Sequence, residues 1–382
     1  MRRFKENEIV VLLGAGASVD AGIPNSPKMI ENVEQLVESE WSDFKLLYHY
    51  VRSAIHYAGG IAGRFGDQVP YNIEILVNTL DELRKKDEHP LYPFVGAWNP
   101  KLVEVGGRDF DVVKRFRKKI VEKLQHWIAL DRYKDAAGYY KGLVQFQQQY
   151  EHPLRVFTLN YDLCVEEVCD TDGSVERGFD ADRKWDWRRF DENENDPKEI
   201  YLYKLHGSAD WTRKADESLT YLDSPQKIAP DDVALIFGTS YKLQYVDPFL
   251  FFAYELRRRT LDDARLIISI GYGFGDEHIN GILRQAINAN SERQLLSVAP
   301  LGDNTHGTTE AEAAEIAESK RIASIMSLAR PGQVHAWSFG AKKFMGEMLD
   351  VTLLGGLFPS EEEELFAEVA VDMSKPGVDA PS

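Results

Sequence analysis

The chain has 382 residues, of which 43% are hydrophobic and 28% charged, which leaves room for one large domain with an insertion or two smaller ones. A formal net charge of −17 disfavours non-specific nucleic-acid binding by the chain alone, because such binding needs Lys and Arg to neutralise phosphates. Two cysteines, Cys164 and Cys169, exclude a disulfide framework and a four-thiolate zinc site, and they read as reduced core residues.

The N-terminus, Met1-Arg2-Arg3-Phe4-Lys5, imitates a signal peptide, but Glu6 and Glu8 interrupt it and the apolar stretch is short. A cytoplasmic protein with no membrane span is expected. The apolar run Ile9 to Leu13 then ends in Gly14-Ala15-Gly16-Ala17-Ser18, with Gly22-Ile23-Pro24 beyond. Small residues closing a buried strand let the backbone approach a diphosphate, whose charge suits the amides of a following helix N-terminus. Gly14-x-Gly16 lacks the third glycine of the dinucleotide fingerprint, and a strand-to-helix turn needing positive φ would give the same pattern.

Further apolar runs at Leu154 to Leu159, Ile200 to Leu205, Val233 to Phe237, Arg265 to Ile270, Gln294 to Ala299 and Gln333 to Phe339 suit parallel strands covered on both faces. They predict an α/β fold with a doubly wound, mostly parallel, Rossmann-like sheet. The stretch from about residue 27 to 150 is too long for one crossover helix and reads as an inserted helical subdomain. Within it, Phe110, Val113, Phe116, Ile120, Leu124 and Trp127 recur at helical spacing, with Lys114, Arg117, Lys118 and Lys119 forming a solvated face. Ile73 to Lys86 and Trp41 to Tyr57 supply further helices, and Asn72 and Glu74 read as helix-start residues. Residues 1–300 are expected to form one domain. Residues 301–382 complete the fold or mediate assembly, ending in Glu361 to Glu364 and a Pro/Ser-rich tail expected to be disordered or partner-bound.

Three polar segments stand where strands stop: Thr158-Leu159-Asn160-Tyr161-Asp162, Lys204-Leu205-His206-Gly207-Ser208 and Gly238-Thr239-Ser240. Open α/β sheets bind ligands at such strand ends. Each has a plainer account: Asn160 or Asp162 as a cap for the helix beginning near Leu163, His206 as a structural histidine, Gly238 to Ser240 as a turn. Trp211 reads as core.

With Gly14 to Ser18, Gly22-Ile23-Pro24, Asn160-x-Asp162, His206-Gly207 and Gly238-Thr239-Ser240 in this order, most of residues 8–290 resembles the sirtuin family. The resemblance is to zinc-free sirtuin-like NAD hydrolases of bacterial anti-phage defence, and Gly271 to His278 is similar to those members too. It implies that Asn160 and His206 are catalytic, Asn160 orienting the nicotinamide ribose and attacking water, His206 drawing a proton from the ribose hydroxyls. It also implies NAD⁺ contacts from Gly14, Ala15, Gly16, Ser18, Gly22, Ile23, Pro24, Gly238, Thr239, Ser240 and Gly271, with Asp162 on the nicotinamide carboxamide. The side chains of Asn160 and His206 should then meet on one sugar.

Asn25-Ser26-Pro27 stands where family deacylases carry Asp-Phe-Arg, Leu159 where they carry Gln, and the chain lacks the two cysteine pairs of their zinc module. The resemblance therefore implies NAD⁺ as a substrate, no zinc, and hydrolysis to nicotinamide and ADP-ribose as an NAD⁺-depleting effector. It further implies a homo-oligomer, pairing with a HerA-type hexameric ATPase, and control by assembly or that partner. The rival expectations are a nucleotide-sensing module that regulates a partner ATPase without chemistry, and an NAD-dependent protein deacylase.

Overall fold

The computed structural model describes residues 3–84, 100–191, 197–214, 218–235, 247–302 and 306–358. In chain order the strands are β1 (Ile9–Leu13), β2 (Leu154–Thr158), β3 (Val175–Glu176), β4 (Ile200–Lys204), β5 (Gly207–Arg213), β6 (Leu219–Tyr221), β7 (Val233–Leu235), β8 (Leu266–Ile270), β9 (Gln294–Ala299) and β10 (Val334–Ser338). Seven of them form one sheet in the order β10-β9-β8-β1-β2-β4-β3, every pair parallel. The α/β, doubly wound reading holds.

Each residue of β1, β2, β4 and β8 is buried, as strands covered on both faces require. Strand alternation sends Ile9, Val11 and Leu13 into one core with Val113, Phe116, Ile120 and Leu124, while Val10 and Leu12 enter a second core with Phe157, Phe252, Leu256 and Leu283. The chain runs outward from β1 through β2 and β4, then returns across β1 to β8 and runs to β10. This reversal puts the topological switch point between β1 and β8, and open α/β sheets bind ligands beyond the carboxyl ends of strands at such a point.

Between β1 and β2 lie the helices Ser26–Glu38, Lys45–Ile61, Ile73–Arg84, Asp111–Ile128 and Lys141–Tyr150. Asn25 accepts from Lys28 N at 3.1 Å and Asn72 accepts from Ile75 N at 2.9 Å, so both act as start signals of the helices that follow. One expectation needs correcting. Lys114, Lys118 and Lys119 are exposed, but Arg117 is buried and its guanidinium reaches Asp81 at 3.0 Å and the Pro230 carbonyl at 2.8 Å. Periodicity places a residue on a face without showing that another helix's carboxylate waits there.

The run Val233 to Phe237 also departs from expectation. Val233–Leu235 belongs to a separate three-stranded sheet, β6-β5-β7, whose pairs are antiparallel, and residues 236 and 237 lie outside the described residues. Only Leu205 and His206 separate β4 from β5, too few for the crossover that parallel pairing needs. Gly207 takes φ +94° where the chain passes from the first sheet into the second, and a Cβ there would lie 2.2 Å from the Ala234 carbonyl oxygen. Trp211 on β5 is 1% exposed in the second core.

After Pro300, the helix Thr309–Ile325 and edge strand β10 extend the sheet; residues 359–382, including Glu361 to Glu364, lie outside the described residues. Among the described residues no helix is long and apolar enough to cross a membrane.

Candidate functional site

Leu13 is in register with Thr158 of β2 and Ile270 of β8, so the glycine turn emerges between those two strand ends. The turn is tightly locked to the loop after β8. Gly14 N donates to Ile270 O and Gly16 N to Gly271 O, each at 2.9 Å. A Cβ on Gly14 would lie 2.5 Å from Tyr272 Cα, one on Gly16 2.8 Å from Gly271 Cα, and one on Gly271 2.2 Å from Ala17 N. The glycines thus let two loops at the switch point touch. The segment that follows, Ala15–Ala21, is a 3₁₀ helix, with Ala17 N donating to Gly14 O at 2.9 Å. In this conformation the amides of residues 14, 16 and 17 are engaged by backbone carbonyls rather than presented to a diphosphate.

Ser18, Asn160 and Asp162 come together behind this turn. Asn160 Nδ2 donates to Gly14 O at 3.0 Å and to Ser18 Oγ at 3.1 Å. Ser18 Oγ donates to Asp162 Oδ2 at 2.7 Å and lies 2.9 Å from Tyr140 OH. A serine hydroxyl has one proton, so Tyr140 donates the second of these bonds. Burial raises the Tyr140 phenol well above its ordinary range, and the ring keeps that proton. With both amide protons of Asn160 engaged, the remaining polar atom of its side chain is the acceptor Oδ1.

Asp162 Oδ1 accepts from Cys164 N at 3.0 Å, in the first turn of the helix Cys164–Cys169. Each of its carboxylate oxygens therefore has a partner inside the protein, which makes Asp162 a support of the Ser18–Asn160 arrangement in this conformation. The buried Lys204 ammonium, at the end of β4, donates to the Asp162 carbonyl and to Glu166 Oε1, the latter at 2.8 Å. Desolvation raises the Glu166 carboxyl above its ordinary value, with Lys204 pulling the other way. Cys164 and Cys169 are free and buried, and burial pushes both thiols up.

His206 sits in a second, adjoining cluster and is 3% exposed. Its Nε2 lies 3.2 Å from Asp276 Oδ2. Its Nδ1 lies 3.8 Å from Glu74 Oε1, is buried, and has no hydrogen-bond partner. Tyr161, next to Asn160, joins the two clusters: its ring centre is 6.4 Å from the imidazole, and its hydroxyl donates to Glu74 Oε1 at 3.5 Å. Burial first, and the Glu74 charge second, raise the Tyr161 phenol well above its ordinary range.

The remaining predicted residues fall elsewhere or beyond view. Gly22 takes φ +92°, and Ile23 is 4% exposed. Gly22 and Pro24 line a cavity of about 850 Å³ with Gln125, Trp127, Asp131 and Lys227; neither Asn160 nor His206 lines it. Gly238, Thr239 and Ser240 lie outside the described residues. His278 contributes its amide to Asp276 Oδ1 at 3.0 Å, at the start of the helix Glu277–Ala289.

Sequence reasoning placed Glu74 at a helix start and gave Asp276 no role. The signal for Asp276 was its place at the end of a strand-closing glycine loop. Glu74 had no local signal, since its meeting with His206 depends on how the inserted helix docks. Among the described residues no group of three or more His, Cys, Asp or Glu side chains could hold a metal ion.

This is an α/β protein with polar clusters gathered at the switch point of its parallel sheet. Residues 154–325, from β2 through the helix Thr309–Ile325, match the family model of the SIR2-like domain, which supports a sirtuin-like assignment for that stretch. No curated protein matches the chain. The chain is also similar to solved ADP-ribose complexes of Sir2 homologue mutants. Two are 12% identical with a TM-score of 0.39, covering 89% of this chain and 90% of the other. A third is 13% identical at the same TM-score, covering 91% and 92%.

Proposed function

We propose that the chain is an NAD⁺ hydrolase that cleaves the nicotinamide–ribose bond to release nicotinamide and ADP-ribose. The SIR2-like match points to sirtuin-type, NAD-binding function, and the observation that carries the step to hydrolysis is the state of His206. Its imidazole is held through Nε2 by Asp276 while Nδ1, buried in the next cluster to Asn160, has no hydrogen-bond partner. An imidazole with one nitrogen anchored and the other unengaged is arranged as a proton acceptor.

In this reading the C1′–N bond breaks and its electron pair neutralises the pyridinium nitrogen, so nicotinamide leaves uncharged. Positive charge develops on the ribose, His206 Nδ1 takes the proton of a ribose hydroxyl, and water bonds to C1′ and passes a proton to that ribose oxygen, after which His206 releases its proton to solvent. Asn160 Oδ1 accepts from that water and orients it, because both protons on Nδ2 are held by Gly14 O and Ser18 Oγ. Ser18 and Asp162 hold Asn160 in place. Gly14, Ala15, Gly16, Gly22, Ile23, Pro24, Gly271 and the segment Gly238-Thr239-Ser240 are proposed to surround the dinucleotide. Glu74 Oε1 lies 3.8 Å from Nδ1, so the ribose reaches it by displacing Glu74.

By the same resemblance, the activity is proposed to deplete NAD⁺ in anti-phage defence within the cytoplasm, controlled by self-assembly or by a HerA-type ATPase; the mass of the native complex tests that part. The chemistry is tested by incubating the protein, alone and in its native complex, with NAD⁺, with and without an acetylated peptide, and quantifying nicotinamide, ADP-ribose and O-acetyl-ADP-ribose. Nicotinamide and ADP-ribose without a peptide requirement are expected. Asn160→Ala and His206→Ala should each lose about a hundredfold or more in kcat, the scale for positioning and general-base groups. Unchanged turnover in both variants removes this site assignment, and NAD⁺ bound but uncleaved in the native complex points to a sensor instead.

A further inference from the structure

We propose that Asp276 is the positioning residue of His206, fixing which ring nitrogen carries the proton and stabilising the imidazolium once Nδ1 has taken a second one. Its consequence for turnover rests on the hydrolase reading; the pairing itself does not.

Asp276 divides its two carboxylate oxygens between two tasks. Oδ1 accepts from His278 N at 3.0 Å and Ile279 N at 3.3 Å, capping the helix Glu277–Ala289. Oδ2 faces His206 Nε2 at 3.2 Å. The cap makes the second contact directional, because a carboxylate held by two amides cannot rotate away. The backbone around it is fastened as well: Tyr272 OH donates to Asp276 O at 3.1 Å, and Asn280 Nδ2 donates to Phe274 O at 2.8 Å. Asp276 is 8% exposed, so water competes little for Oδ2.

An ionised carboxylate only accepts hydrogen bonds, so Nε2 bears the proton and the lone pair of the neutral ring lies on Nδ1. That is the nitrogen without a hydrogen-bond partner, 3.8 Å from Glu74 Oε1. When Nδ1 gains a proton from the ribose, the Asp276 carboxylate at Nε2 already faces the positive ring, and no large rearrangement of charge is needed. The logic is that of a carboxylate behind a catalytic histidine, here reached through two strand-end loops and an inserted helix.

The discriminating variant is Asp276→Asn. Asparagine caps helices about as well as aspartate, so the fold is retained and a thermal melt should match the wild type. With Oδ1 on the helix amides, its Nδ2 faces Nε2 and donates, moving the ring proton to Nδ1. The expected result is a kcat lowered by roughly 10² to 10⁴-fold with KM changed little, and no added loss when His206→Ala is already present. Wild-type kcat in Asp276→Asn, or a full further loss on the His206→Ala background, overturns the proposal.

A second measurement needs no turnover. Nitrogen-edited NMR of the neutral His206 ring should show the proton on Nε2 in the wild type and on Nδ1 in Asp276→Asn, because the side chain facing Nε2 has changed from an acceptor to a donor. The same tautomer in both proteins refutes the pairing. If the wild-type complex leaves NAD⁺ intact while the tautomer switches, the hydrolase reading fails and the pairing stands.

Discussion

The Asn160 cluster and the His206 cluster share one end of the sheet and are built on opposite plans. Around Asn160 the donors are used up: both amide protons, the Ser18 hydroxyl and the Cys164 amide all have acceptors within the protein. Around His206 two carboxylates surround an imidazole that has one nitrogen without a hydrogen-bond partner. The first cluster fixes geometry, and the second holds an uncommitted proton acceptor. Rigid support next to a poised base is what a positioned reaction requires.

The comparison breaks most sharply at the glycine contact beneath the Asn160 cluster. Gly271 has φ +66°, and a Cβ there would lie 2.2 Å from Ala17 N. Backbone strain and overpacking together should make Gly271→Ala lose about 3 kcal/mol or more, read as a lower urea midpoint at unchanged slope. A wild-type midpoint would mean that the two loops can separate freely, and the rigid half of the comparison would go.

Ser18→Ala is the next largest effect. The substitution deletes the donor to Asp162 and the acceptor shared by Asn160 and Tyr140, leaving three buried groups short of a partner. A stability loss of about 2 kcal/mol is expected from such unsatisfied groups. Because Asn160 keeps its bond to Gly14 O, turnover should fall less than in Asn160→Ala. Equal losses in the two variants would show that Ser18 does more than support the amide.

Much of this arrangement is legible in the sequence because it is local. The run Ile9 to Leu13 followed by Gly14 and Gly16 announces a buried strand and a close loop contact, and Asn72 shows its role through the amide it caps. What stays hidden needs the third dimension. Arg117 and Asp81 are 36 positions apart, and His206 and Asp276 are 70 apart. Neither pair has a spacing signature, since docking of whole elements brings them together. The run Val233 to Phe237 misleads for the same reason: its apolar pattern suits a parallel strand, but its partner is β5 of the second sheet, which no local pattern announces.

Arg117 gives the smallest predicted effect and the finest test of how the two plans are joined. It ties the helix Ile73–Arg84, which carries both Asp81 and Glu74, to the helix Asp111–Ile128 and the loop at Pro230. Although Arg117 is buried, Asp81 and Asp231 keep 26% and 53% side-chain exposure, so water screens the pair once the guanidinium is lost. Arg117→Met keeps the apolar stem and should cost about 1 kcal/mol, between a surface pair and a fully buried one. If Glu74 is held beside His206 by the buried Ile73, Leu76, Val77 and Leu80, kcat stays near wild type. A kcat loss as large as that of Asp276→Asn would show that the docking of this helix, rather than the strand-end loops, sets the environment of the base.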